Sequence, residues 1–147
     1  MFLAKYDAVD IAEYVLWYCE NELKKPITNL ILQKMLYYVQ GYYFKKYNEP
    51  IFDNTIEAWQ YGPVVPDVYF IYKDNRKEDI KGITMKDEKI ISKEDKIFLN
   101  NLLQQLIKIK PWALVRKTHS ESPWEKNFIP GMNVEIPISD IEECFCN

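Results

Sequence analysis

Ile27–Tyr47 reads ITNLILQKMLYYVQGYYFKKY, and this stretch decides the fold class. Leu32, Met35, Leu36, Val39 and Tyr43 recur at three- and four-residue steps, the stripe of an α-helix and not the alternation of a strand. Ile31, Tyr38 and Tyr42 widen the stripe, so the helix is expected to run through the centre of the domain and touch neighbours on several sides. Thr28 is a good N-cap, and Ile27 with Leu32 has the spacing of a hydrophobic staple. Gly41 inside such a helix costs roughly 1 kcal/mol relative to Ala, and the expected compensation is close approach of another backbone. A polar thread, Asn29, Gln33, Tyr37, Gln40 and Phe44, follows one face. Buried amides must be hydrogen-bonded, since each unpaired group costs about 1–3 kcal/mol. Two uses fit the thread: it bonds the backbone of the irregular Trp59–Pro66 segment, or it lines a groove that receives a partner.

On the N-terminal side, Asp7–Leu23 reads as a helix capped by Asp7, with Ile11, Val15, Tyr18 and Cys19 at helical spacing, ending before Pro26. Asp7, Asp10 and Glu13 lie in its first turns, where they complement the positive end of the helix dipole. On the C-terminal side comes EAWQYGPVVPDVY, Glu57–Tyr69. Proline lacks an amide donor and fixes its own φ, so Gly-Pro-x-x-Pro opposes helix and sheet alike, and residues 49 to 66 are expected to be irregular or extended. The segment is aromatic, stiff and nearly uncharged. It is expected to close the core from one side and offer a rigid contact surface on the other.

Asp67–Lys73 then returns to helical spacing. In the charged run DNRKEDIKGITMKDEKIIS, Ile80–Thr84 and Lys89–Ile91 are candidates for a small hairpin, the alternative being a solvated excursion. Ser92 with Asp95 reads as a capping box for a helix that buries Ile97, Phe98, Leu102, Leu103, Leu106 and Ile107. Pro111 ends that helix and opens PWALVRKTH. SPWEK adds a further helical turn, and Ser139 with Glu142 reads as a capping box for DIEECF. The expected fold is mainly α: a single compact helical domain over residues 1–147 with a small extended or β-hairpin element.

Composition narrows the function. The chain has 147 residues, with 19 Lys and Arg against 22 Asp and Glu, a net charge of −3. Nucleic-acid binders carry a basic excess to neutralise phosphates, so none is expected as a partner. Three cysteines, Cys19, Cys144 and Cys146, with the last two too close to bridge easily, argue for a reducing compartment, the cytoplasm. One histidine and no C-x-x-C pair give no metal site, and four glycines without a phosphate-loop spacing give no nucleotide cofactor. MFLAKYDAVD has acids where a signal peptide needs apolar residues, and Leu30–Phe44 is interrupted by Gln33, Lys34 and Gln40, so no membrane span is expected. His119 stands beside Ser120 and Glu121, but neighbours on one turn point in different directions, whereas catalytic triads converge from separate segments. No enzyme is expected. Aromatics make up 15% of the chain, with 11 Tyr and 4 Trp, residue types enriched at protein interfaces.

Three blocks then stand in a specific order: ITNLILQKMLYYVQGYYFKKY, IEAWQYGPVVPDVYFIYK and LVRKTHSESPWEK. Together they resemble the hallmark motifs of the Panacea domain, the SocA/GepA-like antitoxin family, over nearly the whole chain from about Ile11 to Phe145. The resemblance implies the antitoxin of a bacterial or phage toxin–antitoxin pair, acting by direct binding to its cognate toxin. Its alternative is an adaptor that delivers the toxin to a Clp-type protease. The exposed aromatics expected here also offer a surface for a homodimer. Motif positions carried over are Gln33, Lys34, Tyr37, Tyr38, Gln40 and Gly41, then Trp59, Tyr61, Gly62, Pro63, Val64, Pro66 and Tyr69, then Thr118, His119, Pro123 and Trp124. As partner-binding residues the reading selects Gln33, Tyr37, Gln40, Trp59, Tyr61, Pro63, Val64, Pro66, Tyr69, His119 and Trp124. YKDNRKEDIKG is longer and more charged than the turn the resemblance leads one to expect, and suits this chain to its own partner.

Overall fold

Asn29–Tyr47 forms one long helix, α2, and the rest of the chain wraps it, in a computed structural model describing residues 4–147. Met1–Leu3, the opening of the stretch read for a signal peptide, lie outside the described residues. Around α2 lie α1 (Ala8–Asn21), α3 (Pro66–Tyr72), α4 (Lys93–Leu106), α5 (Pro111–His119), α6 (Ser122–Asn127) and α7 (Ile138–Cys146). A 3₁₀ turn, Lys73–Asn75, follows α3. Strands β1 (Ile56–Trp59), β2 (Gly62–Val64) and β3 (Val134–Ile136) form an antiparallel sheet in the order β2-β1-β3. The fold is mainly α with a small sheet, as the helix periodicity requires.

Burial explains the position of α2. From Ile31 to Gly41 every residue is buried, polar ones included, which only a helix enclosed on all sides achieves. Gly41 is the point of closest approach, and the approaching group is a side chain, not the backbone expected. A Cβ there would lie 2.4 Å from Cε2 of Phe145, so the glycine admits the α7 ring against α2. Phe145 meets Tyr37 and Tyr42 edge-on, with centroids 5.6 and 5.1 Å apart.

Local signals fare unevenly. Asp7 caps α1 by accepting from Val9 N, and Thr28 caps α2 by accepting from Ile31 N. Ser92 caps α4, but the Asp95 carboxylate does not complete a box: Ser92 N donates to the Tyr6 hydroxyl instead. At α7 no capping box forms. Pro137 is the N-cap residue, and the helix begins at Ile138, ahead of Ser139. Ile97, expected on the buried face of α4, is 60% exposed.

The hairpin also moves. Ile80–Thr84 and Lys89–Ile91 form no strands. Their neighbourhood spends its amides on α1 acids: Gly82 N donates to Glu20 Oε1 and Lys86 N to Glu13 Oε1. The β-hairpin is instead Ile56–Val64, inside the stretch read as hostile to sheet. Pro63 is tolerated because β2 is an edge strand, where a missing N–H need cost no ladder bond.

Candidate functional site

The hairpin overhangs the first half of α2 and leaves a cleft of about 850 Å³ beneath it. The cleft is bounded by α2, the β1–β2 turn, the end of α3, the start of α5 and the chain around Phe128 to Asn133. Its walls are aromatic. Trp59 meets Tyr69 edge-on at 4.9 Å, and Tyr61 meets Trp112 at 6.1 Å. Tyr61 and Trp112 are each more than half exposed, so the rim presents large apolar surface to solvent.

Three contacts from α2 fix the hairpin and the chain just after it from below. Asn29 Nδ2 donates to Tyr69 O at 3.1 Å, and Gln33 Nε2 donates to Asn29 Oδ1 at 2.9 Å. Gln33 Oε1 accepts from Val65 N at 2.9 Å, and Lys34 Nζ donates to Pro63 O at 2.8 Å. The polar thread thus bonds the backbone of the segment above it. Gly62 must be glycine: its φ is +112°, and a Cβ would lie 2.7 Å from Thr118 Oγ1 and 2.8 Å from Lys34 Cε.

Behind the hairpin stands a stack of rings. His119 lies on Trp124 with centroids 3.9 Å apart, and Trp124 lies on Phe128 at 4.6 Å. Trp124 Nε1 donates to Trp59 O at 2.7 Å, tying the stack to β1. Burial and the nearby Lys34 charge push the His119 pKa below its ordinary value, against a bond to the Gln60 backbone. Its Nε2 is buried without a partner. Burial alone pulls Lys34 down to about 7.

Of the residues chosen from sequence, Gln33, Trp59, Tyr61, Val64 and Tyr69 line this cleft. Pro63 supplies the carbonyl that Lys34 holds, Pro66 opens α3, and His119 and Trp124 buttress the hairpin from behind. Tyr37 and Gln40 lie elsewhere and are enclosed. Tyr37 and Tyr38 both donate to Glu121 Oε1, at 3.0 and 3.1 Å, and burial with that carboxylate pushes both phenols well up. Gln40 Oε1 accepts from Ile51 N and its Nε2 donates to Phe52 O, pinning the chain that leads into β1.

The sequence reading missed Trp112, Phe128 and Met132 on the walls, and Lys73, Arg76 and Lys77 on the rim. Trp112 was readable in one respect only: the proline before it marks a helix start, which sets the ring at an exposed first turn.

Among the described residues Ser120 and Glu121 do not converge on His119. Ser120 Oγ donates to Lys117 O, Glu121 faces Tyr37 and Tyr38, and the imidazole faces Trp124. Glu57, Asp67 and Glu121 are engaged respectively by Trp59 Nε1, Asn54 Nδ2 and the two tyrosines. Among the described residues no helix is long and apolar enough to cross a membrane.

Residues 32–125 match the model of a family described as antitoxin SocA-like, Panacea domain. Over 50 residues the chain is 42% identical to the antitoxin SocA of Caulobacter vibrioides (strain NA1000 / CB15N). That alignment covers 34% of this chain and 27% of the relative. No solved structure gives a significant match.

Proposed function

We propose that this chain, which belongs to the antitoxin SocA-like, Panacea domain family, is the antitoxin of a bacterial or phage toxin–antitoxin pair and neutralises its toxin by direct binding. The observation that carries the binding mode is the pinned hairpin. Asn29, Gln33, Lys34 and Trp124 hold the Trp59–Tyr69 backbone from two sides, so its exposed aromatics are ordered before any partner arrives. A preordered surface avoids most of the entropy cost of association. The action is stoichiometric and not catalytic, in keeping with the divergent directions of His119, Ser120 and Glu121. Three free thiols suit the cytoplasm as its place of work.

The test is co-expression with each neighbouring open reading frame, scoring growth and then co-purification. One neighbour should be toxic alone, harmless with this protein, and co-elute with it in fixed ratio. Trp59→Ala and Tyr61→Ala should each weaken that complex by about tenfold or more, as central aromatic contacts do, with the helical signal unchanged. Loss of the fold in both variants would place the segment in the core and not at the interface. Rescue without a stable complex, together with a toxin lifetime shortened in a Clp-dependent way, would replace sequestration by delivery to a protease. Self-association through the same aromatics would show as a dimer that the toxin disperses.

A further inference from the structure

YKDNRKEDIKG, Tyr72–Gly82, borders the cleft and sorts its charges by sign. Lys73, Arg76 and Lys77 line the cleft, whereas Asp74, Glu78 and Asp79 do not. With Lys34 on the floor, the lining holds Lys and Arg and no Asp or Glu, in a chain whose net charge is −3. Among the described residues, none of these four makes an ion pair. The arrangement is built and not a loose loop. Arg76 holds a left-handed φ of 52° at the end of the 3₁₀ turn, and Arg76 N donates to Lys73 O at 3.1 Å. Ile80, only 2% exposed, anchors the segment by donating its amide to Ile27 O at 2.8 Å. The same cleft is lined by the exposed rings of Tyr61 and Trp112. Beneath the cleft, the fully buried Lys34 Nζ makes a single hydrogen bond among the described residues, to Pro63 O.

We infer that the cleft receives a short peptide segment of the partner protein in which acidic residues flank aromatic or aliphatic ones. The acids face Lys73, Arg76 and Lys77, and the apolar side chains enter between Trp59, Tyr61 and Trp112. This rests on the reading that the hairpin face is where the toxin docks. A nucleic-acid strand fits less well. Its phosphates need a basic track along the backbone, and here the cations stand on one rim of an otherwise acidic chain.

The experiment is selection of a phage-displayed random-peptide library on the full chain, with the winning peptides then synthesised and their affinities measured. Enriched peptides should combine Asp or Glu with Trp, Phe or Leu. Their binding should weaken with added salt, because exposed charges are screened within about 10 Å at 0.1 M. The variant Lys73→Glu/Arg76→Glu/Lys77→Glu changes only exposed side chains and should cost about tenfold or more, whereas Lys45→Glu/Lys46→Glu, away from the cleft, should cost nothing measurable. Basic or uncharged winners, no enrichment, or winners that bind the triple variant equally would overturn the inference. So would single-stranded DNA that binds the chain and displaces the peptides. Growth rescue separates the two readings. A triple variant that loses the peptides but still rescues growth moves toxin docking off the cleft. Acidic winners without any toxic neighbour leave the cleft chemistry standing and remove the antitoxin reading.

Discussion

A carboxylate and an amine, Asp95 and Lys34, are shut inside this protein and are treated in opposite ways. Asp95, 1% exposed, accepts from Tyr6 at 2.6 Å and from Tyr43 at 3.1 Å, with Lys5 Nζ 3.7 Å away. Lys34, fully buried, has one carbonyl and no counter-ion among the described residues. Burying a charge is tolerable when its bonding capacity is filled and expensive when it is not. Asp95 ties the N-terminal segment, α2 and α4 together. Lys34 carries an unrelieved cost at the floor of a cleft lined by exposed aromatics. The difference separates a charge whose partners build the fold from an amine buried beside the cleft with one carbonyl.

The sharpest way to break this comparison is to remove Asp95. Asp95→Ala leaves the Tyr43 hydroxyl buried without its acceptor and takes the strongest partner from Tyr6. It should cost about 3–5 kcal/mol, the range for breaking a buried charged network, measured by urea unfolding at pH 7. A loss under about 1 kcal/mol, the level of an exposed pair, would make Asp95 a bystander.

Next in size is Gly62→Ala, which acts from the Lys34 side. A non-glycine residue at φ +112° is strained, and its Cβ would overlap Thr118 Oγ1 and Lys34 Cε. Strain and overpacking together should cost about 3 kcal/mol and shift the Trp fluorescence of the cleft walls. An unchanged unfolding midpoint would mean that the hairpin yields easily and is not the preordered surface argued above.

How much of this was legible in the sequence depends on the range of the interaction. Caps at Asp7, Thr28 and Ser92 were readable because donor and acceptor lie within one turn. So was α2, whose stripe is strictly periodic. The hairpin was misplaced because proline chemistry was applied without knowing that β2 is an edge strand. Ser139 failed as a cap because Pro137, already at φ −60°, lets the helix begin two residues earlier. At the site, the aromatic segment was readable from its composition. The basic rim was not, since Tyr72–Gly82 alternates signs and only the 3₁₀ turn decides which face the cleft. Asp95 was read as half of a local box, while its partners Tyr6 and Tyr43 lie far away in sequence.

The smallest effect, and the most telling, belongs to Lys34→Met. The substitution keeps an unbranched side chain, one atom shorter, and removes a buried amine at the expense of one bond to Pro63 O. At pH 7 the two terms nearly cancel, so stability should change by no more than about 1 kcal/mol, far less than for Asp95→Ala. The pH dependence then distinguishes the amine from a mere spacer. Below about pH 7 Lys34 is protonated in both states, and its burial cost is present in full. Between pH 7 and the ordinary lysine value the native protein has released the proton and the unfolded chain still holds it. The unfolded state then binds more protons, so stability rises with pH, by up to about 1.4 kcal/mol per unit. From about pH 9 this rise is offset, because burial pushes the Cys19 thiol up to about 12 and the unfolded thiol ionises first. On the acid side His119, whose pKa is lowered, makes stability fall as pH drops below its unfolded value of 6.5. Wild-type stability should therefore climb between pH 7 and 9, and that climb should be absent in Lys34→Met. A climb that survives the substitution would mean that the cleft floor holds no titrating amine, and the contrast with Asp95 would lose its electrostatic basis.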